Sequence, residues 1–372
     1  MSEHSILQVI TRSDWGGAQR VVESLATRIE DVDAVACGPD GRLINILEDQ
    51  RIPVHVIPHL QSPPSPVDVL AYRELRKIIS DGGYDLIHSH STKAGLLTRI
   101  AANRIGVASI FTVHGWGFYN TKYRALRPIM IRGERALSER TDEIVCVSEN
   151  DRKMGYANGI LQGLNGTVIH NGICPLDPSP GRNTVYNEFN IDPDVPVIGA
   201  IARLAPQKNP LRILDIAKQL QERGHDFATM LIGSGPLGEE CQRYVDEHNI
   251  HEAYLPGFRE DALELLQDFD AFLLPSRFEG FPVTVLECLH AGVPIIAHNV
   301  GGVSEAVDNA VTGFIVSPSK PDHEFVDCVE RILTSPRKRD EMGRRAQQVA
   351  SARFTEDRMV DEYQEVYQRV LS

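Results

Sequence analysis

Two cations in the second half of the chain stand beside the predicted start of a helix. Arg203 directly follows an apolar strand predicted at Val197–Ala202. Lys208 precedes Asn209 and Pro210, which are favoured at the N-cap and at the first helical position. A helix N-terminus exposes backbone N–H groups and the positive end of the helix dipole, so two added cations predict a diphosphate site. The alternative is that both are ordinary solvated loop charges.

Two carboxylates follow later in the chain. Glu279 lies in a loop beyond the apolar strand predicted at Ala271–Leu274, and Gly280 and Phe281 come next. Glu287 lies about two turns into the helix that follows. A carboxylate that accepts hydrogen bonds from neighbouring hydroxyls is a common way to hold ribose or a hexose. Glu287 could instead be an exposed helical acid, but its apolar neighbours favour a buried carboxylate with a partner.

Histidines follow two predicted strands of the first half. His114 lies between the apolar run Ile110–Val113 and a glycine, and it is a candidate catalytic residue. The alternative for His114 is a hydrogen-bonded structural histidine. His88 and His90 alternate at the end of the strand predicted at Leu86–Ser89. They have no third ligand at metal-binding spacing, so we expect a polar loop of an acceptor cleft and not a metal site.

The composition is that of a globular protein with reduced cysteines. Of 372 residues, 42% are hydrophobic and 24% are charged, and no apolar run is long enough to span a membrane. The N-terminal residues lack a basic segment ahead of an apolar run, so we expect no secretory signal and a cytoplasmic location. The six cysteines form no CxxC pair, which argues against zinc sites and disulfides.

The charge is unevenly distributed along the chain. The net charge is −13; residues 1–180 carry 19 basic and 20 acidic side chains, whereas residues 181–372 carry 19 and 31. Such an acidic protein is unsuited to nucleic acid, because the phosphate backbone requires positive charge. An anionic ligand must therefore be bound by local cations.

Short apolar runs rich in Val and Ile alternate with amphipathic stretches, which predicts two doubly wound parallel sheets in an α/β fold. Five prolines in the stretch from 175 to 196 mark a break between the two. We therefore predict Rossmann-like domains at residues 1–175 and 196–354, a linker at 176–195, and a C-terminal helix at 355–372 that packs on the first domain. Ligands bind beyond the carboxyl ends of parallel strands, so we expect a cleft between the domains.

Nine short motifs occur in order along nearly the whole chain. They are GGAQ at Gly16–Gln19, TVHGWGF around His114, SEND at Ser148–Asp151, HNGI at His170–Ile173, ARLAPQKNP at Ala202–Pro210, GSGP at Gly233–Pro236, PGF at Pro256–Phe258, EGFPVTVLE at Glu279–Glu287 and GGVSEAV at Gly301–Val307. Several are weak alone, but the ordered series is highly specific. Through this series of motifs the chain resembles the large family of retaining glycosyltransferases with the two-domain GT-B fold, known as family 4 or group 1.

The resemblance implies roles for the matched residues. Arg203 and Lys208 would bind the diphosphate of the donor. Glu279 would face the transferred sugar, and Glu287 would hold the nucleotide ribose. His114 would lie beside the reacting sugar, as a catalytic group together with Glu279, Arg203 and Lys208. The remaining donor contacts would be the phosphate-side glycines and the residues near the base, namely Gly16, Gly17, Gly233, Gly235, Phe258, Arg259, Gly280 and Phe281.

The resemblance also implies the reaction. A hexosyl or N-acetylhexosaminyl group would pass from a nucleotide diphosphate sugar to a glycan or lipid-linked acceptor with retention of configuration. We expect a UDP-sugar in preference to GDP-mannose. Cations placed where the leaving diphosphate gains charge could act without a metal or another cofactor. No enzymic nucleophile is evident, so the implied mechanism is a front-face one, in which the leaving phosphate helps to deprotonate the acceptor hydroxyl.

The segment Trp116–Arg140 combines basic, aromatic and apolar side chains. It carries six basic residues against two acids. This pattern is typical of a helix at a membrane interface, and it predicts contact with an anionic membrane or with a lipid-diphosphate acceptor. The alternative is an ordinary solvated helix face. The cations predicted to face the acceptor or the membrane are Lys122, Arg124, Arg127 and Arg132.

Three other functions remain open from the sequence. The first is a nucleotide-sugar epimerase of the same fold. The second is a nicotinamide oxidoreductase, supported by GSGPLG at Gly233–Gly238, although Glu252 is poorly placed to hold the ribose of such a cofactor. The third is a non-catalytic sensor of nucleotide sugars. The three Asp-x-Asp pairs, which begin at Asp31, Asp192 and Asp268, are expected by chance in an acidic chain, so we predict no metal site.

Overall fold

Two parallel sheets organise the chain in the computed structural model. The structure describes residues 4–61, 65–119, 125–163, 166–176, 184–320 and 322–372. One unit comprises Met1–Gly172 and Glu356–Ser372, and the other comprises Ile173–Thr355. The predicted fold class, two α/β domains with parallel sheets, is confirmed.

The first unit contains a seven-stranded sheet in the order β3-β2-β1-β4-β5-β6-β7. Every residue of its interior strand β1 is buried, as expected for a parallel strand covered on both faces. The strands are β1 (Ile6–Ile10), β2 (Val32–Cys37), β3 (Val54–Val56), β4 (Leu86–His90), β5 (Ala108–Val113), β6 (Glu143–Cys146) and β7 (Thr167–Val168). The helices of its first segment are α1 (Gly17–Arg28), α2 (Arg42–Asp49), α3 (Asp68–Gly82), α4 (Thr92–Ile105), α5 (Arg127–Ser138) and α6 (Glu149–Ala157), with a 3-10 turn at Gly117–Tyr119.

The second unit contains a six-stranded sheet in the order β10-β9-β8-β11-β12-β13. Its helices and strands again alternate along the chain, as doubly wound sheets require. The strands are β8 (Val197–Ile201), β9 (Ala228–Ile232), β10 (Ala253–Gly257), β11 (Ala271–Leu274), β12 (Ile295–His298) and β13 (Gly313–Val316). The helices are α7 (Thr184–Phe189), α8 (Pro210–Glu222), α9 (Gly238–His248), α10 (Ala262–Leu266), α11 (Val283–Ala291), α12 (Val303–Ala306), α13 (Asp322–Leu333) and α14 (Pro336–Arg353).

The stretch predicted as a linker at 176–195 contains helix α7, which belongs to the second unit. Val185 of α7 is buried, and its backbone N–H donates to Asp268 Oδ2 at 2.8 Å. Asp270 accepts from the backbone N–H of Val197 at 2.6 Å. The Asp-x-Asp pair therefore binds backbone and needs no metal to explain it. A helix of six residues is too short for sequence periodicity to reveal.

The final helix, α15 (Glu356–Leu371), returns to the first unit after the chain has passed through the second. Its apolar face joins the core formed by α1, β1 and β2. Arg28 of α1 donates to the carboxylate of Glu356 at 3.0 Å at the start of the helix. The buried residues of α15 are Met359, Val360, Tyr363, Val366 and Tyr367.

Two tyrosines of α15 contact polar side chains inside the first sheet. The Tyr367 hydroxyl lies 2.7 Å from Nδ1 of His88 on β4, and the Tyr363 hydroxyl lies 3.2 Å from Oγ1 of Thr112 on β5. All four side chains are buried. Burial raises the pKa of both tyrosines, so their hydroxyls remain protonated and can donate.

Replacing Tyr367 with Phe should destabilise the first unit by about 1–3 kcal/mol, because Nδ1 of the buried His88 would lose its partner. Denaturant unfolding monitored by fluorescence would measure the change. Tyr72→Phe is the matched control, since the Tyr72 hydroxyl accepts from Arg104 at an exposed site, and its cost should be at most about 0.5 kcal/mol. If both variants lose the same free energy of unfolding, the Tyr367–His88 hydrogen bond does not stabilise the first unit in this way.

Candidate functional site

The loop after β8 holds the two predicted diphosphate cations. Arg203 is exposed, and its guanidinium has no hydrogen-bond partner among the described residues. Lys208 Nζ lies 2.7 Å from Glu279 Oε1, and the two side chains are 20% and 5% exposed. The structure thus brings together a cation and a carboxylate that lie 71 residues apart in the sequence. Lys208 remains partly accessible to an anionic ligand, whereas the Glu279 carboxylate is nearly buried.

Asn209 occupies the N-cap position of α8, as its sequence context suggested, but its side chain caps no backbone N–H. Its amide instead donates to the backbone carbonyl of Pro275 at 3.3 Å. Asn209 has a left-handed backbone conformation with φ of 55°, and Pro210 occupies the first turn as predicted. Pro210 has no N–H, and the Arg212 N–H donates to the Asn209 carbonyl at 3.0 Å. The start of α8 is therefore without a side-chain cap.

Two glycines allow the loop after β9 to approach the Arg203 loop closely. Gly233 has a φ of 136°, and a Cβ atom there would lie 2.0 Å from the carbonyl oxygen of Ala202. A Cβ on Gly235 would lie 2.4 Å from the carbonyl oxygen of Leu204. The Leu204 N–H also donates to the Ser234 carbonyl at 2.9 Å. The GSGP motif is thus a close backbone contact that fixes the position of the cationic loop.

The Glu279 loop is fixed in a similar way. The Gly302 N–H donates to the Gly280 carbonyl at 2.6 Å. A Cβ on Gly301, which has a φ of 57°, would lie 2.0 Å from the carbonyl oxygen of Glu279. The GGV motif that follows β12 therefore supports the loop that carries the carboxylate, a role that sequence spacing could not reveal.

The neighbouring donor contacts are placed in different ways. Glu287 is buried on α11, with an exposed fraction of 6%. The Phe281 side chain is also buried, and its ring centroid lies 5.6 Å from that of Phe354. Because an apolar ring gains more from burial than from a polar site, the motif's phenylalanine serves the core.

The predicted base contacts, Phe258 and Arg259, follow β10. Phe258 is 61% exposed. Arg259 donates to Asp261 at 2.6 Å and to Glu188 of α7 at 2.9 Å. The guanidinium holds the pKa of Asp261 below its usual value. Glu188 was not predicted as a site residue, because it lies in the stretch predicted as a linker.

The first unit presents a second group of predicted residues. Gly16 precedes α1, and Gly17 is its first residue, with no side chain capping the helix. Trp15, next to the two glycines, has the guanidinium of Arg20 5.9 Å and that of Arg42 5.8 Å from its ring. Two guanidinium groups thus lie over the tryptophan that directly precedes the glycines.

Three histidines of the first unit are in contact. His88 and His90 are buried residues of β4, not of a loop as predicted, and their ring centroids lie 4.1 Å apart. His90 Nδ1 lies 2.9 Å from Nε2 of His114, which follows β5 and is partly exposed. Burial lowers the pKa of His114 to about 4. Burial and the neighbouring His114 lower the pKa of His88 to about 3, and burial lowers that of His90 well below its usual value.

A cavity of about 170 Å³ adjoins His114. Glu134 of α5 lines it, and Oε2 of that carboxylate accepts from Nη2 of the fully buried Arg99 at 2.7 Å. The Arg99 guanidinium also lies 4.1 Å from the ring centroid of Phe111. This ion pair escaped sequence analysis, although an arginine on the apolar face of α4 was a usable signal. The other lining residues are Ser91, Thr92, Phe111, Thr112, Val113, Gly115, Trp116 and Gly117.

The basic segment is partly described. Lys122 and Arg124 lie outside the described residues. Arg127 and Arg132 of α5 border a surface cavity of about 420 Å³. Ile129, on the same helix, is 70% exposed. In the described part of the chain no helix has the length and hydrophobicity to cross a membrane.

The described residues contain no group of three or more His, Cys, Asp or Glu side chains suited to a metal ion. The roles predicted for the site residues remain predictions, since the geometry shows where the side chains lie and not what they bind. What the structure shows is two local groups: the Lys208–Glu279 pair beside Arg203 in the second unit, and the histidines with Glu134 in the first.

Comparison with known proteins identifies the class. The structure superposes on the Anabaena protein HepE, solved in complex with UDP and glucose, with a TM-score of 0.85 at 22% identity, over 98% of this chain and 100% of that one. The architecture is therefore that of the GT-B glycosyltransferases, as the sequence suggested. Residues 15–175 match the family described as Glycosyltransferase Family 4, and residues 182–349 match Glycosyl transferases group 1.

The chain belongs to the family 4, group 1 glycosyltransferases, and the nicotinamide oxidoreductase alternative falls away. One relative is the Escherichia coli UDP-Gal:α-D-GlcNAc-diphosphoundecaprenol α-1,3-galactosyltransferase, 28% identical over 329 residues, which are 85% of this chain and 84% of that protein. Another is the Escherichia coli O-antigen biosynthesis glycosyltransferase WclY, 26% identical over 292 residues, which are 76% of this chain and 79% of WclY.

Proposed function

We propose that the protein transfers a hexosyl or N-acetylhexosaminyl group from a UDP-sugar to a lipid-linked or other glycan acceptor, with retention of configuration and without a metal. The observation that carries the proposal is the Lys208–Glu279 pair at 2.7 Å, next to the unpaired Arg203 and the uncapped start of α8. Two loops, one after β8 and one after β11, thereby bring positive charge for a diphosphate next to a carboxylate for a sugar.

The positive groups have the chemistry that departure of a nucleoside diphosphate requires. As the bond to the sugar breaks, negative charge grows on the leaving phosphate. Arg203, Lys208 and the uncapped N-terminus of α8 would stabilise that charge in the transition state more than in the bound donor. Arg203 is suited to a bidentate contact with phosphate oxygens, and Lys208 acts as a point charge. These cations supply the positive charge that a metal ion would otherwise bring.

Glu279 is placed to bind the transferred sugar. Its carboxylate pairs with Lys208, and its backbone packs closely against the Gly301 loop, so both the side chain and the loop that carries it are held in place. A fixed carboxylate accepts hydrogen bonds from sugar hydroxyls at little entropic cost. Because it is nearly buried and ion-paired, we assign Glu279 to sugar positioning and not to nucleophilic attack. The leaving phosphate would then take the proton of the acceptor hydroxyl on the front face.

The relatives support the choice of substrates. The named Escherichia coli relative uses UDP-Gal and a GlcNAc-diphosphoundecaprenol acceptor, and HepE has been solved with UDP. WclY is named for O-antigen biosynthesis. A UDP-sugar donor and a lipid-linked acceptor in polysaccharide synthesis are therefore the substrates we propose. Such an acceptor would place the enzyme at the cytoplasmic face of a membrane.

We predict that a UDP-sugar will raise the melting temperature of the protein, and that Lys208→Met will weaken its binding by about 10–100-fold through loss of a charged hydrogen bond. At 100 times its dissociation constant, a ligand stabilises the folded state by about 2.7 kcal/mol. A thermal-shift titration with UDP-, GDP- and ADP-sugars measures this effect.

Lys218→Met is the matched control for that titration. Lys218 lies on α8, which follows the Lys208 loop, and it pairs with Glu222 on the surface at 3.7 Å, so its loss should leave the affinity unchanged. If Lys208→Met binds the donor as tightly as the unaltered protein, Lys208 does not contact the diphosphate. A preference for a GDP-sugar would overturn the choice of uridine.

We predict that transfer will continue in the presence of EDTA and that the product will keep the anomeric configuration of the donor. The physical reason is that Arg203 and Lys208 supply the charge stabilisation. Proton NMR of the product gives the coupling constant of the new anomeric centre. An inverted product would refute the front-face mechanism, and abolition by EDTA with rescue by Mg²⁺ would refute metal independence. Release of an epimerised sugar without acceptor would identify an epimerase.

We further propose that α5 contacts an anionic membrane surface. Leu126 and Ile129 are 51% and 70% exposed, and Arg127 and Arg132 border the adjoining surface cavity. Exposed apolar side chains among arginines are what an interfacial helix presents to lipid headgroups. Each basic residue near such a surface contributes about 1 kcal/mol of attraction.

Vesicles containing phosphatidylglycerol should bind the protein at low salt, and the double change Arg127→Glu/Arg132→Glu should weaken binding by about tenfold or more. High salt should release the protein, because it screens exposed charges. Co-sedimentation measures the bound fraction. Arg344→Glu/Arg345→Glu, on the exposed face of α14, is the control with the same change in charge. Equal loss in both pairs would indicate non-specific attraction.

A further inference from the structure

The hydrogen bond between His90 and His114 requires that one ring donate to the other. It joins His90 Nδ1 and His114 Nε2 at 2.9 Å. Both rings are neutral near pH 7, because burial lowers both pKa values. A neutral imidazole has one N–H and one bare nitrogen, so exactly two arrangements of the protons are consistent with the contact.

The second nitrogen of His90 distinguishes the two arrangements. His90 Nε2 is buried and has no hydrogen-bond partner among the described residues. If His114 donated, the proton of His90 would sit on Nε2 as a buried N–H without an acceptor. If His90 donates, Nε2 is a bare acceptor. Orphaned buried N–H groups are rarer than under-satisfied acceptors, so the second arrangement is favoured.

The neighbouring His88 does not change this assignment of the protons. Both nitrogens of His88 are already engaged, Nδ1 with Tyr367 and Nε2 with Thr112, each at 2.7 Å. His88 therefore provides no acceptor for a proton on His90 Nε2. This contact chain also fixes the position of β4, and with it the ring of His90, relative to α15.

We propose that His90 is a positioning residue that holds His114 as the tautomer with its proton on Nδ1, so that His114 donates a hydrogen bond to a sugar oxygen in the adjoining cavity. That the group accepting this hydrogen bond is a sugar oxygen rests on the proposed function. His114 Nδ1 has no hydrogen-bond partner among the described residues, and His114 lines the cavity of about 170 Å³.

The surrounding charges are consistent with a neutral donor. His88 and His90 face His114 from β4, and Glu134 of α5 lines the same cavity while paired to Arg99 of α4. The other titratable groups of this network are Tyr363 and Tyr367 of α15. A neutral N–H suits an uncharged hydroxyl or ring oxygen. In this state His114 cannot take the acceptor's proton through Nδ1, which agrees with giving that task to the leaving phosphate.

The tautomer can be observed directly. In full-length protein labelled with ¹⁵N-histidine, long-range ¹H–¹⁵N spectra at pH 7 should show a protonated Nδ1 and a bare Nε2 for His114, assigned by its loss in His114→Asn. A proton on Nε2, or on both nitrogens, would overturn the proposal. This measurement needs no activity, so it remains decisive even if the protein proves not to transfer sugar.

Kinetics of His90 variants test the functional consequence. His90→Asn keeps an amide donor near the Nδ1 position, and kcat/KM should stay within about threefold of the unaltered enzyme. His90→Leu removes the donor and should lower kcat/KM by about tenfold. His55→Asn is the control, since His55 bonds only Tyr84, at 3.1 Å, among the described residues, and it should leave activity unchanged. An Asn variant as impaired as the Leu variant, or an unimpaired Leu variant, would contradict the proposal.

The pH dependence of kcat/KM in His90→Asp distinguishes a positioning role from a merely structural one, because a structural defect alone would not change that dependence. The introduced carboxylate can only accept, so it draws the His114 proton to Nε2 and raises the pKa of His114. Below that pKa, the imidazolium still carries an Nδ1 proton and activity persists. Above it, Nδ1 is bare, so kcat/KM should fall as the pH rises from about 6 to 8. The unaltered enzyme should show no such limb, and a pH-independent loss in the variant would refute the positioning role.

Discussion

The ion pair between Lys208 and Glu279 is the interaction on which the second unit's site depends. A nearly buried carboxylate is tolerated only with a partner, and the lysine supplies it from a different loop. The loops can meet because glycines at 233, 235 and 301 let backbone approach backbone. The Lys208–Glu279 pair thus satisfies a buried charge, and it also leaves a cation next to a helix N-terminus.

Besides its own buried ion pair, Arg99–Glu134, the first unit contains a buried polar network of a different kind around β4 and α15. Here neutral side chains are linked across two strands and a helix, from Tyr367 through His88 to Thr112 and Tyr363. Because these groups carry no charge, their burial is less costly than that of an ion, and their geometry is fixed by several contacts at once. The histidine beside the cavity, His114, follows β5, the strand whose Thr112 belongs to this network.

The sequence predicted the architecture well because the relevant signals are local. Buried Val- and Ile-rich strands such as β1 and the Pro210 start of α8 are visible in a few residues. It predicted less of the site's chemistry, because ion pairs such as Arg99–Glu134 and Arg259–Glu188 join distant segments. Helix α7 was missed because it is short. Pairings of this kind depend on tertiary packing, which no single stretch encodes.

The return of α15 to the first unit has a consequence for how the chain matures during translation. Residues 173–355 are synthesised before α15, the helix that completes the core of the first unit. Until α15 is made, the apolar residues of α1 and β1 that pack against it stay uncovered. The second unit is contiguous and can finish first. The histidines of β4 therefore gain their tyrosine partners only at the last stage of synthesis, which makes the N-terminal unit the later of the two to become native.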